Sequence, residues 1–369
     1  MGEEILGEKL TFEFSGLGDY LENSTEDYNG SDACCPVSPC SFYSTHEFNR
    51  VFLPLFYSII FLLGLPGNLL VIGVLQRYKQ NMGSTDTFIL HLAVADILLV
   101  ITLPFWAVEA VHGWVFGTAL CKLIGSVFTI NFYSGIFLLV SISFDRYLSI
   151  VHAIQMYKKQ RSHLVHLSCA TIWALCLLLT IPDLVFLKAT HEHRQNTTEC
   201  RNDFHPSTAK YWRTTMRFIY HVVGFFLPLV FMFYCYFRIV LTLLHSQGFQ
   251  KHKAMRVIVA VVVAFFLCWA PYNLAVLMDS LLRLNIIAES CELETQINIA
   301  ISVTSTLGYV HCCLNPLLYA FVGTKFRNSF LEFLSQVGCI SSEFMKKFFK
   351  PQRRNSNWSE SADTSYSGI

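Results

Sequence analysis

Apolar residues in this chain gather in seven long runs, roughly 51–75, 87–108, 123–144, 164–182, 218–237, 257–278 and 297–322. None of the runs keeps the polar stripe that a surface helix of a soluble protein shows. Each matches the length of about 20 residues that crosses a hydrocarbon core at the helical rise. In lipid the backbone must satisfy its own hydrogen bonds, so runs of this length are predicted to be helices. The fold class expected is an all-α membrane protein, a seven-transmembrane helix bundle. The third run sharpens the picture. From Leu123 to Phe144 it holds no Asp, Glu, Lys or Arg, and then Asp145 and Arg146 arrive side by side. From Cys121 to Arg146 a helix is about 37 Å long against a hydrocarbon core of about 30 Å, which puts the charged pair at a membrane boundary.

Polar positions between the runs suggest an orientation. Arg77 and Lys79 follow the first run, Lys158, Lys159 and Arg161 the third, and Lys251, Lys253 and Arg256 precede the sixth. Short loops rich in Lys and Arg stay in the cytoplasm, so the amino terminus is predicted outside and the carboxyl terminus inside. Charge agrees. The first 50 residues carry ten acids against Lys9 and Arg50, a net of −8, while 325–354 is basic. No basic-then-apolar signal peptide opens the chain, so the first run is expected to act as an uncleaved anchor. The composition, 53% hydrophobic and 14% charged, leaves too little polar surface for a soluble domain, which has about a quarter of its residues charged.

Three regions follow: an acidic outer tail (1–45), a membrane domain (46–335) and a Ser/Thr-rich inner tail (336–369). Within the second, 324–335 has apolar residues at helical spacing, with Lys325 and Arg327 opposite, and is predicted to be a short amphipathic eighth helix on the inner surface. Six of the 13 cysteines fall in predicted outer segments, where disulfides persist. Cys121 with Cys200 is the natural pair and Cys40 could bridge Cys291, while four of the six can also pair otherwise. Asn23, Asn29 and Asn196 are N-glycosylation sequons on the outer side. Cys339 is a candidate for palmitoylation.

Asp96 is the one acid or base, histidine aside, inside the seven runs. A carboxylate at that depth marks a functional site and must face the bundle interior. Its expected partners are Asn68, Asn131 and Asn315. Pro66, Pro104, Pro182, Pro228, Pro271 and Pro316 fall in or at the ends of six runs and none in the third. Kinked helices around one straighter helix are therefore expected.

The motifs now combine. "GLPGN", "LAVAD", Cys121 with "DRYLSIVHA", Trp173, Pro228 with Tyr236, "CWAPY" and "NPLLY" occur in that order. Together they resemble the rhodopsin-like G-protein-coupled receptors. "TLPFWAV", "GWVFG", "NFYSG" and "HCCLNPLLYAFVG" are similar to the chemokine receptors, and "SDACCPVSPC" with the ending "NWSESADTSYSGI" to their CXC branch.

That resemblance implies a plasma-membrane receptor for CXC-type chemokines, which are basic secreted proteins. It implies coupling to an inhibitory-type heterotrimeric G protein, chemotaxis, and desensitisation by arrestins, in contact with membrane lipids and with no nucleic acid. The acidic tail would attract such ligands over a screening length of about 8–10 Å. Tyr20 and Tyr28 sit among acids that favour sulfation. An outer pocket would be rimmed by Trp106, Glu109, Asp183, Tyr272, Asp279, Ser305 and Tyr309. Ser305 stands where many relatives carry Glu, leaving Asp183 or Asp279 as the anchor for a basic ligand terminus. Activation would run through Asp145, Arg146, Tyr147, Tyr236, Trp269, Pro271, Asn315, Pro316 and Tyr319. Asp145 restrains Arg146 at rest, because "QKHKAMR" before the sixth run offers no second acid. Ser356, Ser359, Ser361, Thr364, Ser365 and Ser367 would be phosphorylated. The family's interior sodium ion would use Asp96 and Asn131, but Gly135, His311 and Cys312 replace small hydroxyls there.

Other function classes fare less well. A chemokine-scavenging receptor would be expected to have an altered "DRYLSIV" segment, which is intact. A transporter would need charged pathways through the runs. An enzyme would need a metal-ligand cluster or a "GxSxG" elbow, and neither is legible in the sequence.

Overall fold

The computed structural model describes residues 43–77, 82–152, 158–192, 197–244, 249–284, 286–288 and 290–322, together with 335 and 338. Apart from one hairpin and short connecting segments these residues are helical. Among them are seven helical spans long and apolar enough to cross a membrane: Thr45–Arg77, Ser84–His112, Gly117–Ile150, Ser162–Phe186, Ala209–Leu244, Ile258–Arg283 and Cys291–Tyr319. All seven sequence runs lie within or close to these spans, and most spans extend past their runs by a turn or more at one end. The amphipathic eighth helix expected over 324–335 lies outside the described residues apart from Ser335. The expected outer tail lies outside them apart from 43–45, which begin the first helix, and the expected inner tail apart from Gly338.

Helix α1 is Tyr43–Arg77, the first span. The second span is α2 (Ser84–Val100) and α3 (Leu103–His112), the third α4 (Gly117–Ile150), and the fourth α5 (Lys158–Leu179) with α6 (Ile181–Phe186). Strands β1 (Leu187–Glu192) and β2 (Thr197–Asn202) form an antiparallel hairpin in which Ala189 faces Cys200. The fifth span contains α7 (Ala209–His221), a π-helical segment Val222–Phe226, and α8 (Leu227–Leu244). Helices α9 (Phe249–Arg283) and α10 (Cys291–Val322) complete the bundle.

Prolines explain the breaks. Pro104 and Pro182 each occupy the first turn of a new helix, after interruptions at Ile101–Thr102 and at Thr180. At both places a threonine hydroxyl bonds back into the preceding turn, Thr102 to Leu99 O (2.7 Å) and Thr180 to Cys176 O (2.6 Å). In the fifth span Pro228 has no N–H for Gly224 O, and its ring crowds that carbonyl. The helix widens there, and Leu227 N–H reaches five residues back to Val222 O. Pro316 likewise leaves Cys312 O without its helical donor. Asn68 Nδ2 supplies one from α1 at 2.9 Å while also bonding Gly64 O at 2.9 Å.

The distribution of side chains is inverted relative to a soluble protein. Val51, Phe233 and Leu244 are 70%, 72% and 74% exposed, whereas Asp96, Asn131 and Asn315 are buried. Lipid is the environment in which that arrangement costs least. Helix α4 is the hub, packing against α2, α5, α8, α9 and the hairpin. Its Phe132, fully buried, stacks on Tyr220 with centroids 4.1 Å apart and meets Trp269 edge-on at 5.0 Å.

Gly224 in the π segment faces this cluster. A Cβ there would stand 2.3 Å from Phe132 Cε1 and 3.0 Å from Tyr133 Cε1, both on rings wedged in the core. Gly224→Ala is therefore expected to destabilise the receptor by about 1–3 kcal/mol through overpacking. The check is the thermal midpoint of purified protein, and an unchanged midpoint would mean that Phe132 has room to move.

Candidate functional site

Residues with chemical potential lie along the bundle axis at three levels. At one end, Cys121 in the first turns of α4 is bonded to Cys200 in β2, with Cα atoms 5.5 Å apart. Cys121–Cys200 is thus a disulfide, as expected. Trp114 N–H donates to Thr198 O at 2.6 Å, and Gly113, at φ +76°, makes the close approach that a side chain would block. Glu109 Oε1 accepts the Cys200 N–H at 2.7 Å, so this carboxylate holds the hairpin. Cys291 is disulfide-bonded, while Cys40, its expected partner, lies outside the described residues.

Beneath the hairpin is a cage of aromatic rings. Phe128 meets Tyr272 at 6.3 Å and Tyr309 at 5.9 Å, and Trp269 lies 5.8 and 6.3 Å from the same two rings. Trp106 packs on Trp114 at 5.5 Å. The acids at this end differ from one another. Asp183 is half-buried beside the Thr129 side chain, and no ion pair is described for it. Asp279 is 2% exposed and clamped by Arg217, at short range, and by Arg283 at 3.0 Å. Arg213 also lies close enough to feel both arginines and Asp279. That corner is net cationic. Ser305 Oγ is turned onto its own helix, at Ser302 O (3.0 Å).

At the opposite end, Arg146 Nε is 3.9 Å from Asp145 Oδ2, and Arg146 Nη2 also donates to Thr85 Oγ1 in the first turn of α2. The expectation that restraint rests largely on Asp145 is corrected: a second helix also holds the guanidinium. Tyr236 OH accepts a hydrogen bond from Ser143 at 2.9 Å, which ties the fifth span to α4. Tyr147 pairs with His152 at 2.9 Å and stacks on Phe144.

Midway lies Asp96, fully buried. Asn131 Nδ2 reaches Oδ1 at 3.3 Å and Asn315 Nδ2 reaches Oδ2 at 2.8 Å. His311 Nε2 and Cys312 Sγ also stand 3.3 Å from Oδ1. Asn68 does not reach the carboxylate, because the carbonyl freed by Pro316 takes its amide instead. Pro271 lies within α9, two residues past Trp269. Trp269 is fully buried against His311, with centroids 5.7 Å apart, and Tyr319 is also buried.

Residues 67–319 match the family described as 7 transmembrane receptor (rhodopsin family). The chain is 50% identical over 353 residues to the C-X-C chemokine receptor type 3 of Homo sapiens, covering 95% of each chain. It is 49% identical over 366 residues to the same-named receptor of Capra hircus, covering 99% of each. The C-X-C chemokine receptor type 5 of Mus musculus is 41% identical over 351 residues, 93% of this chain and 91% of that one. This chain belongs to the C-X-C chemokine receptors of the rhodopsin family. It is a multi-pass plasma-membrane receptor of a signal-transducing, non-enzymatic class.

Several features of this receptor were not legible beforehand. Phe128 and Tyr220 complete the aromatic cage, and Arg217 and Thr85 occupy the two acid–base clusters. Only Arg217 had a visible signal, a cation inside the amphipathic stretch "YWRTTMRFIY". A sodium ion needs a shell of hard oxygen donors. Here an imidazole nitrogen and a thiol crowd the carboxylate oxygen that sodium would use, so the donor set does not fit it. Tyr20, Tyr28, Asn23, Asn29, Asn196, Cys339 and the tail serines and threonine lie outside the described residues.

Proposed function

We propose that this receptor binds CXC-type chemokines on the side of the Cys121–Cys200 disulfide and activates an inhibitory-type G protein at the Arg146 end. Chemotaxis and arrestin-mediated desensitisation would follow. The observation that carries the proposal is the layout of α4. One helix has a disulfide-anchored hairpin at one end and a doubly held arginine at the other, with Phe132 and Asn131 between them. Ligand pressure on the hairpin or the aromatic cage would shift the equilibrium of the same helix that presents Arg146, by differential contacts in two states. The Lys and Arg bias of the loops supports an amino terminus outside.

On this reading the acidic tail, with Tyr20 and Tyr28 sulfated, captures the basic chemokine. The ligand's terminus then enters among Trp106, Tyr272 and Tyr309, where Asp183 supplies the counter-charge. Glu109 supports the hairpin, and Asp279 is already neutralised by arginines. Asn23, Asn29 and Asn196 would carry glycans on the outer side, Cys40 would bridge Cys291, and Cys339 would be acylated inside. Phosphates on Ser356, Ser359, Ser361, Thr364, Ser365 and Ser367 would form the charged strip that arrestin reads.

The test is a panel of CXC-type chemokines applied to cells expressing the receptor, reading both inhibition of cyclic AMP production and internalisation. At least one chemokine is expected to give both responses. Changing Tyr20 and Tyr28 to Phe is expected to weaken that chemokine several-fold at physiological salt. Internalisation with no G-protein response to any member would identify a scavenger and overturn the proposal.

A further inference from the structure

We propose that the interior polar site is a zinc-class metal site, formed by Asp96, His311 and Cys312 with Asn131 as fourth donor, in place of a sodium site. Donor spacing is the first argument. His311 Nε2 and Cys312 Sγ are each 3.3 Å from Asp96 Oδ1, and Sγ is 3.7 Å from Nε2. A tetrahedral zinc with bonds of about 2.0–2.3 Å holds its donors about 3.3–3.6 Å apart. The three side chains already stand at nearly the edges of that tetrahedron. All four residues are at most 1% exposed.

Histidine chemistry is the second argument. His311 Nδ1 lies 2.6 Å from Gly308 O, a pure acceptor, so Nδ1 carries a proton. In the neutral ring this leaves the Nε2 lone pair aimed at a carboxylate oxygen 3.3 Å away. Two lone pairs do not face each other across that gap, so either a proton or a metal ion lies between them. The Nδ1–H to carbonyl bond is also the outer contact that fixes the tautomer of a metal-ligating histidine. Asn315 plays the same part for the carboxylate by holding Oδ2 at 2.8 Å and leaving Oδ1 to the cluster.

The fourth corner comes from Asn131. Its Oδ1 is buried with no hydrogen-bond partner, while its Nδ2 sits 3.3 Å from Asp96 Oδ1. The two ends of an amide are exchanged by a half-turn of the side chain. That turn brings the unpartnered oxygen to the metal-facing position and gives the ligand set O, N, S, O.

Charge closes the account. Zn²⁺ displaces the Cys312 proton to solvent, and the thiolate and the Asp96 carboxylate together balance the two positive charges. A neutral cluster is what a buried site in a membrane bundle requires. Imidazole and thiolate also select a borderline-soft cation over a hard one, the reverse of sodium's preference. The sequence hides the site because its ligands come from different spans, with Asp96 and Cys312 216 positions apart.

The experiment uses the full chain, purified and stripped with chelator, with cobalt(II) as the spectroscopic probe. The expected result is one retained equivalent whose absorption shows thiolate-to-cobalt charge transfer and tetrahedral ligand-field bands, both bleached by added zinc. Cys312→Ser is expected to abolish the charge-transfer band. Cys313→Ser is expected to keep it, since Cys313 Sγ turns to Ile60 O instead. Because a variant can fail to fold, zinc-edge X-ray absorption on the unmodified receptor provides an independent check and should show one sulfur and one imidazole. Absence of the thiolate band in the unmodified receptor, or its persistence in Cys312→Ser, would overturn the proposal.

Discussion

Arg146→Ala is expected to leave chemokine binding intact and to reduce agonist-driven nucleotide exchange to the ligand-free level. Arg146 sits near the last turn of α4, with its side chain 29% exposed, held by Asp145 at 3.9 Å and by Thr85. It is far from the disulfide end, about 37 Å along the helix, so removing it leaves the aromatic cage untouched. Saturation binding and nucleotide exchange, measured on the same membranes, separate the two ends. Undiminished exchange in the mutant would show that Arg146 is only an interfacial charge. The double restraint also bears on resting activity. Asp145 makes a long, partly exposed contact worth about 0–1 kcal/mol. Asp145→Asn should therefore raise ligand-free exchange by no more than about fivefold. Adding Thr85→Ala should raise it further.

Loss of the Cys121–Cys200 bridge should be the most damaging change at the other end. The two cysteines are 79 positions apart. In the chain-entropy view, closing a loop of that size constrains the unfolded state by about 4.5 kcal/mol. The hairpin has other ties, namely Trp114 N–H on Thr198 O and Glu109 on the Cys200 N–H. Each is a single hydrogen bond, worth about 0.5–3 kcal/mol net. Cys121→Ser is therefore expected to lower chemokine binding more than tenfold and to reduce the amount of receptor at the cell surface. Radioligand saturation, normalised to surface receptor, checks it. Full affinity in the mutant would show that the hydrogen bonds alone hold the hairpin.

The sequence by itself determined the seven spans, because a run of about 20 apolar residues has one stable form in lipid. It determined that Asp96 lies inside, because lipid offers a carboxylate no partner, and it named Asn131 and Asn315 among its partners. The helix breaks at Pro104 and Pro182 also follow from covalent chemistry. What it left open was which face of each span turns inward. These spans are apolar nearly all round, so no polar stripe marks their rotation, and contacts between distant residues depend on that rotation. Only the tertiary structure decided that Asn68 serves the Cys312 carbonyl rather than Asp96, and that Thr85 shares Arg146 with Asp145. It decided that two arginines neutralise Asp279, and that His311 and Cys312 converge on Asp96. Apart from the Arg283–Asp279 pair, four positions apart on one helix, each is a meeting of groups 61 to 244 positions apart. Such meetings are fixed by how helices pack, not by the order of residues along any one of them.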